Sequence, residues 1–300
     1  MILSVGEILY DIFPEYKRIG GAPFNFAFHL KSLGFPLHFI SRVGNDDSGK
    51  DILAFLEEKG FETAFVQQDP QHKSGEVIVQ TDENGVPAFD IVPDRAYDYL
   101  EFTAEIAAQL QKIPRLIYYG TLIQRSPRSA ETLMKILENR NPGTRCIYDM
   151  NLRPRCYDRN AIIKSLIHCD VLKLSDGELG ILKSLLRADT PDRFFIEDIM
   201  HNYAIKMLCL TRGREGSSLF TKGGLWSADT PEDIRVRDTV GAGDAFAAIL
   251  AAGFLKDWEP GIILKRAAVF AGAVCGIAGA IPHDTDFYAP YREWTKENSQ

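Results

Sequence analysis

The chain has no C-x-x-C pair; its five cysteines, Cys146, Cys156, Cys169, Cys209 and Cys275, are scattered and odd in number. That usage argues for reduced thiols rather than a disulfide framework. Six histidines show neither metal-ligand spacing nor the pattern of a triad. Basic charge is not in excess: 34 Lys and Arg against 41 Asp and Glu leave −7, which weighs against a nucleic acid held by bulk charge. No apolar run reaches the ~20 residues that a membrane helix requires. The longest, Ala267 to Pro282, is rich in Gly and Ala and reads as a buried helix. Met1 to Val5 lacks a basic flank and is soon interrupted by Glu7 and Asp11, so a secretory signal is not expected and a cytoplasmic protein is. Repeats, low-complexity tracts and linkers are missing. No G-x-G-x-x-G follows the first apolar run, which weighs against a dinucleotide-dependent oxidoreductase. What is left, 300 residues with ordinary apolar and charged content, suits a single α/β domain over residues 1–300.

Short apolar runs alternate with helical patterns along the chain. Strands are expected at Ile2 to Val5, Leu37 to Ser41, Leu116 to Tyr119, Cys146 to Asp149, Val171 to Leu174 and Met207 to Leu210. Helices are expected over 21–34, Asp47 to Lys59, Ser129 to Glu138, Asn160 to His168, Asp176 to Leu186, Ala245 to Leu255 and Ala267 to Ala280. The alternation predicts a doubly wound, mostly parallel sheet with helices on both faces and ligands at the C-terminal strand ends. One region breaks it. Gly75 to Gln80 and Ala88 to Ile91 flank Asp82-Glu83-Asn84-Gly85 and read as a β-hairpin, and Leu9 to Ile19 adds another extended segment. Gly44 to Lys50 has the spacing of a P-loop, but Asp51 follows and Asp46 and Asp47 would repel phosphates. It reads instead as a helix start capped by Asp47 or Ser48.

The residues with chemical promise gather in Asp238-Thr239-Val240-Gly241-Ala242-Gly243-Asp244. Gly241, Ala242 and Gly243 precede a small, apolar run and should form the first turn of a buried helix, where free N–H groups and the helix dipole favour an anion. Asp244 in that turn can accept a proton, although an Asp there also has ordinary capping value. A second glycine pair, Gly20-Gly21, leads through Ala22-Pro23-Phe24-Asn25 into a helix that Gly34 can close. Asp11 follows the first strand, where a carboxylate can receive hydrogen bonds from hydroxyls. Asn151 and Arg153 follow the strand ending in Asp149, and Arg153 can neutralise a phosphoryl group or pair with Asp149. Ser175 and Glu178 have the spacing of a capping box. Thr211-Arg212-Gly213-Arg214-Glu215-Gly216 joins two short strands and reads equally as a hairpin turn.

The two glycine signatures, in this order and far apart, resemble those of the ribokinase-like (PfkB) sugar kinases, and the resemblance runs along most of the chain. It implies the ribokinase-like fold with a small β lid near residues 9–20 and 75–100, and ATP-dependent phosphorylation of a sugar hydroxyl. By the resemblance, Asp244 is the general base, Gly241, Ala242 and Gly243 form the anion hole, and Arg153 assists. Asp11, Gly21, Asn25, Gln124 and Arg125 would bind the sugar. Ser175, Thr211, Gly213, Gly216 and Gly243 would bind ATP, with the buried helix from Ala267 near the adenine. Glu178 would hold Mg²⁺ through water. Asp238, Val240 and Gly279 match the places where family members hold K⁺. Gly20 to Pro23, Asp149-x-Asn151-x-Arg153 and Gly120 to Ser126 look most like bacterial fructokinases, which implies fructose converted to fructose 6-phosphate. Phe24, bulkier than the Ala usual there, is expected to narrow the sugar pocket. The alternatives are another sugar kinase of the family, for ribose or 2-keto-3-deoxygluconate, and a non-catalytic sugar- or nucleotide-binding regulator. Sugar and ATP are the expected partners, without nucleic acid or membrane, together with a homodimer formed through the lid.

Overall fold

A computed structural model of the chain describes residues 1–81, 87–232 and 235–296. In chain order the elements are β1 (Ile2–Val5), β2 (Leu9–Ile12), β3 (Lys17–Gly20), α1 (Ala22–Ser32), β4 (Leu37–Gly44), α2 (Asp47–Glu58), β5 (Val66–Asp69), β6 (Gly75–Thr81) and β7 (Pro87–Ile91). Then follow α3 (Ala104–Gln111), β8 (Leu116–Gly120), α4 (Pro127–Glu138), β9 (Arg145–Asp149), α5 (Arg159–His168), β10 (Val171–Ser175), α6 (Asp176–Leu186) and α7 (Asp192–Asn202). The chain continues with β11 (Met207–Thr211), β12 (Ser217–Thr221), β13 (Gly224–Ala228), α8 (Ala242–Leu255), α9 (Pro260–Cys275) and α10 (Ala289–Lys296).

Nine strands form the main sheet in the order β13-β12-β11-β10-β9-β8-β1-β4-β5. The pairs from β11 to β5 are parallel, and β12 and β13 add an antiparallel edge. Both faces of the sheet's centre are covered, so β1, β8, β9, β10 and β11 are mostly apolar and buried. Ile2, Tyr118, Ile147 and Val171 pack with residues of α1, α2, α8 and α9. Their alternating neighbours Leu3, Ile117, Tyr119, Cys146 and Leu172 pack with residues of α3 to α7. This is the expected ribokinase-like α/β architecture. No helix among the described residues is long and apolar enough to cross a membrane.

A second sheet of four strands runs β3-β2-β6-β7. It contains both segments that broke the alternation, with β6 and β7 antiparallel as expected for a hairpin. The Asp82 to Gly85 turn lies outside the described residues. The expected second segment runs too far: beyond Ile91 the chain leaves the small sheet, and a 3-10 turn at Ala96–Tyr99 docks on α4. There Ser129 Oγ donates to the Tyr97 carbonyl at 2.7 Å and accepts from Leu100 N at 2.8 Å.

The helix expected over Ala267–Ala280 starts at Pro260, which suits a first helical turn, and stops at Cys275. The following Gly276 and Gly279 interrupt it, and α9 packs on α8, β12 and β13. The cap of α2 is Asp46, not Asp47 or Ser48: Asp46 Oδ1 accepts from Gly49 N at 2.8 Å and from Ser74 Oγ at 2.7 Å. A carboxylate therefore fills the place a P-loop keeps for phosphate. Phe24 does not narrow a pocket. It is fully buried in an aromatic cluster, with ring centroids 5.9–6.2 Å from those of Phe28, Phe39, Phe55 and Phe61. Removing its ring leaves a cavity that α1, α2 and β4 cannot fill by small shifts. Phe24→Ala is expected to cost about 3–5 kcal/mol in urea unfolding while leaving sugar preference unchanged; a variant of native stability would place the ring outside the core.

Candidate active site

A cavity of about 1290 Å³ opens at the C-terminal end of the main sheet. It exceeds the ~300–1,000 Å³ of a pocket for one drug-sized ligand. The small sheet walls one side with Leu9, Asp11, Val77 and Ile91; the opposite wall is the start of α8 and the segment before it, Asp238 to Asp244. Between them lie Gly21, Ala22 and Asn25 at the start of α1, Arg125 after β8, and Asn151 to Cys156 after β9. A strand-end site of this kind is where a doubly wound sheet leaves a crevice.

Two glycines make the convergence possible. Gly241 caps α8 in the left-handed region at φ 80°, and a Cβ there would fall 2.5 Å from Ala280 Cα. Gly21 caps α1 at φ 110°, and a Cβ there would lie 2.6 Å from the Glu7 carbonyl oxygen. Both helix starts therefore press backbone on backbone; Gly241 and Gly243 line the cavity, whereas Ala242 does not, and its N–H donates to the Thr239 carbonyl at 3.3 Å. Asn25, one turn into α1, donates from Nδ2 to Asp244 Oδ2 at 2.7 Å. Burial pushes Asp244 up to about 6, against the opposing pull of that hydrogen bond, with the Asp149 charge adding to the rise. A carboxyl so placed is a base of useful strength near neutral pH beside an anion-binding turn.

Beneath the turn, Lys173 of β10 holds Asp149 of β9 through both carboxylate oxygens at 2.9 Å. The residues are direct neighbours in the parallel register, and Tyr118 donates its hydroxyl to Asp149 at 3.0 Å. Burial opposes the ammonium charge, but Asp149 outweighs it and holds Lys173 above its ordinary value. Lys173 Nζ lies 3.7 Å from where a Cβ on Gly243 would stand. Because Lys173 takes Asp149, Arg153 forms no ion pair among the described residues and lines the cavity. Arg125 also lines it, but Asp98 engages it bidentately at 2.7 Å.

Other expected residues stand apart. Gln124 does not reach the cavity: it is buried, its Nε2 donating to the Gly120 carbonyl at 2.9 Å and its Oε1 accepting from Ser165 at 3.0 Å. Its side chain braces β8 against α5, a correction to its assignment as a sugar ligand. Ser175 and Glu178 form the capping box of α6, and Glu178 Oε1 also accepts from Leu152 N at 2.6 Å, tying down the Asn151–Arg153 loop. Thr211, Gly213 and Gly216 sit at the β11–β12 turn, outside the cavity lining but on the same edge as Ser175, which pairs with Thr211 in register. Asp238 Oδ1 accepts from Val240 N at 3.1 Å, while Oδ2 accepts from Gly279 N at 2.9 Å and from Arg18 Nη1 of β3 at 3.3 Å. Among the described residues no group of three or more His, Cys, Asp or Glu is placed to hold a metal ion.

Sequence reasoning missed Glu7. It lines the cavity and is 97% buried (3% exposed), and burial pushes it up to about 7, with Arg153 and Arg125 opposing. Asp11 is raised to about 6, again by burial against Arg153 and Arg18. The signal for Glu7 was its place directly after β1 and Gly6, the same strand-end logic that singled out Asp11.

Comparison with known proteins adds a second line of observation. Residues 15–286 match the model of the pfkB family carbohydrate kinases. Fructokinase-2 of Oryza sativa subsp. japonica is 27% identical over 94% of this chain and 90% of its own. The 2-dehydro-3-deoxygluconokinase of Haemophilus influenzae is 25% identical over 93% and 95%. The crystal structure of Xylella fastidiosa fructokinase with bound ATP superposes with a TM-score of 0.82 over 98% of each chain at 21% identity, which shows a shared fold.

The α8 turn gives a test. Gly241→Ala must place a Cβ against the Ala280 backbone in a conformation that itself costs an L-residue about 1–2 kcal/mol. Its urea midpoint is expected to fall accordingly; an unchanged midpoint would contradict the tight contact.

Proposed function

The chain belongs to the pfkB family of carbohydrate kinases and is a phosphotransferase with a sugar acceptor, and from that premise we propose an ATP-dependent fructokinase with Asp244 as its general base. The observation that carries the reading is the pairing of a raised, buried carboxyl with the glycine-led turn of α8. Asp244 would take the proton from the attacking sugar hydroxyl. The N–H groups of Gly241 and Gly243 would hold charge on the transferring phosphoryl group, with Arg153 completing its neutralisation; the Ala242 N–H, bonded to the Thr239 carbonyl, would join them only by leaving that partner. Asp11, Gly21, Asn25 and the Asp98-anchored Arg125 would position the sugar. ATP, bound by the Xylella neighbour, would extend along the strand ends past Ser175 and Thr211 to Gly213 and Gly216. Mg²⁺ would supply charge neutralisation for the phosphates, with Glu178, whose oxygens already serve backbone N–H groups, reaching it only through water. The small sheet is read as the lid. K⁺ would sit beside Asp238 and the carbonyls of Val240 and Gly279, competing with Arg18 for the carboxylate.

Two measurements test this. Asp244→Asn keeps size and hydrogen bonding but cannot accept the proton, so kcat should fall by roughly 10²–10⁴ with ATP binding retained. Since the base must be ionised and its titration is raised to about 6, wild-type kcat/KM should decline as pH drops through that value. Near-normal turnover of the variant removes Asp244 from the role. The second compares kcat/KM for fructose, ribose, tagatose and 2-keto-3-deoxygluconate at fixed Mg-ATP, in KCl and in NaCl. Fructose is expected to lead, because Ala22-Pro23 supplies no cation for a charged sugar and the polar groups match hydroxyls. KCl should give the faster rate. A lead for ribose or the sugar acid would leave the kinase intact and displace fructose; equal rates in the two salts would remove the K⁺ site.

A further inference from the structure

The cavity contains a carboxylate that the chemistry above does not use. Glu7 follows β1 through Gly6, where a Cβ would lie 2.3 Å from Pro23 Cγ, so the chain turns tightly against α1 as it enters the cavity. Buried carboxylates are normally paired or hydrogen-bonded. Glu7 Oε2 has no hydrogen-bond partner, and neither has Asn25 Oδ1 in the same cavity. The nearby cations are not spent on Glu7: Arg125 is held by Asp98 and Lys173 by Asp149, while Arg153 and Arg155, which also line the cavity, form no ion pair among the described residues. Glu7 and Asn25 thus each bring an unpartnered acceptor to a space whose lining carries seven carboxylates, Glu7, Asp11, Asp90, Asp94, Asp98, Asp238 and Asp244, against the three guanidiniums of Arg125, Arg153 and Arg155.

A ligand completes such a wall by bringing donors and no negative charge. A neutral polyhydroxy sugar does this; a sugar acid brings a further carboxylate into a desolvated space where like charges repel strongly. Resting on the reading of this end of the cavity as the sugar end, we infer that Glu7 is a specificity-determining residue that receives a hydroxyl of a neutral sugar and excludes sugar acids. Its main-chain role is separate. The Glu7 carbonyl abuts Gly21 whatever the side chain, so Glu7→Gln changes charge and acceptor strength with little change in volume.

The test is steady-state kinetics of the full chain, wild type and Glu7→Gln, with fructose and with 2-keto-3-deoxygluconate at saturating Mg-ATP. Loss of a charge-assisted hydrogen bond predicts a rise of about 10–100-fold in KM for fructose. KM for ATP should stay within about twofold, and kcat/KM for the acid relative to fructose should rise at least about tenfold. An unchanged fructose KM, an unchanged ratio, or equal rises in KM for both ATP and sugar would overturn the inference. If wild type prefers another neutral sugar, the fructokinase reading fails and the same comparison is made on that sugar. If wild type prefers the acid, both fail. Should Glu7→Gln not fold, Glu7→Asp is read in the same assay. It keeps the charge but withdraws it, so fructose KM should rise while the acid is still refused; an unchanged fructose KM would again overturn the inference.

Discussion

The hydrogen bond from Asn25 to Asp244 spans 219 residues of sequence and is buried. It can form only if α1 and α8 start at the same point in space, which both helices manage by beginning on a glycine in a left-handed or similarly open conformation. Everything else at the site is arranged around that junction. The parallel sheet delivers β1, β9 and β10 ends beneath it, and the small sheet closes the side. Losing either glycine would not remove a functional group; it would separate the two backbones that hold the groups in register.

Charge in the site is sorted by pairing. Lys173 with Asp149 and Arg125 with Asp98 are closed pairs. Glu7, Asp11 and Asp244 are not, and burial raises all three. A fold that wanted only stability would have replaced them or supplied partners, since an unpaired buried carboxylate is costly. For such acids the sign of linkage is fixed. Folded chains bind more protons than unfolded ones between the ordinary carboxylate range and about 7, so this set draws stability down as pH rises across that window. The site is paid for in stability at the pH where its carboxylates are ionised.

Much of this was legible in the amino-acid sequence, for identifiable reasons. The glycine turns at 20–21 and 241–243 were readable because few residues tolerate those backbones, and the alternation of strands and helices followed from apolar periodicity. The edge strands β5 and β13 and the helices α3, α7 and α10 carry weaker patterns and have no counterpart among the expected elements. Gln124 and Phe24 were misplaced because proximity in sequence to a site residue does not fix direction. Gln124 adjoins Arg125, yet it points into the core while Arg125 faces the cavity. Phe24 adjoins Asn25 on a helix whose two sides face an aromatic core and a cavity. Glu7 has only its place after β1 to mark it in the sequence, a signal shared by many solvated carboxylates; its burial with Oε2 unpartnered is what distinguishes it.

The α1–α8 junction also has a bearing on how the molecule comes into being. β1, β2 and α1 leave the ribosome first, while the turn that completes their site lies after residue 240. Until then α1 lacks the helix it packs against, and its apolar side, including Phe26 and Leu30, has no α8 to cover it. Contacts so distant in sequence carry a large closure entropy and form late. A nascent or truncated chain can thus build most of the parallel sheet and still possess no site, and it carries in the meantime an open apolar groove of the kind that chaperones recognise.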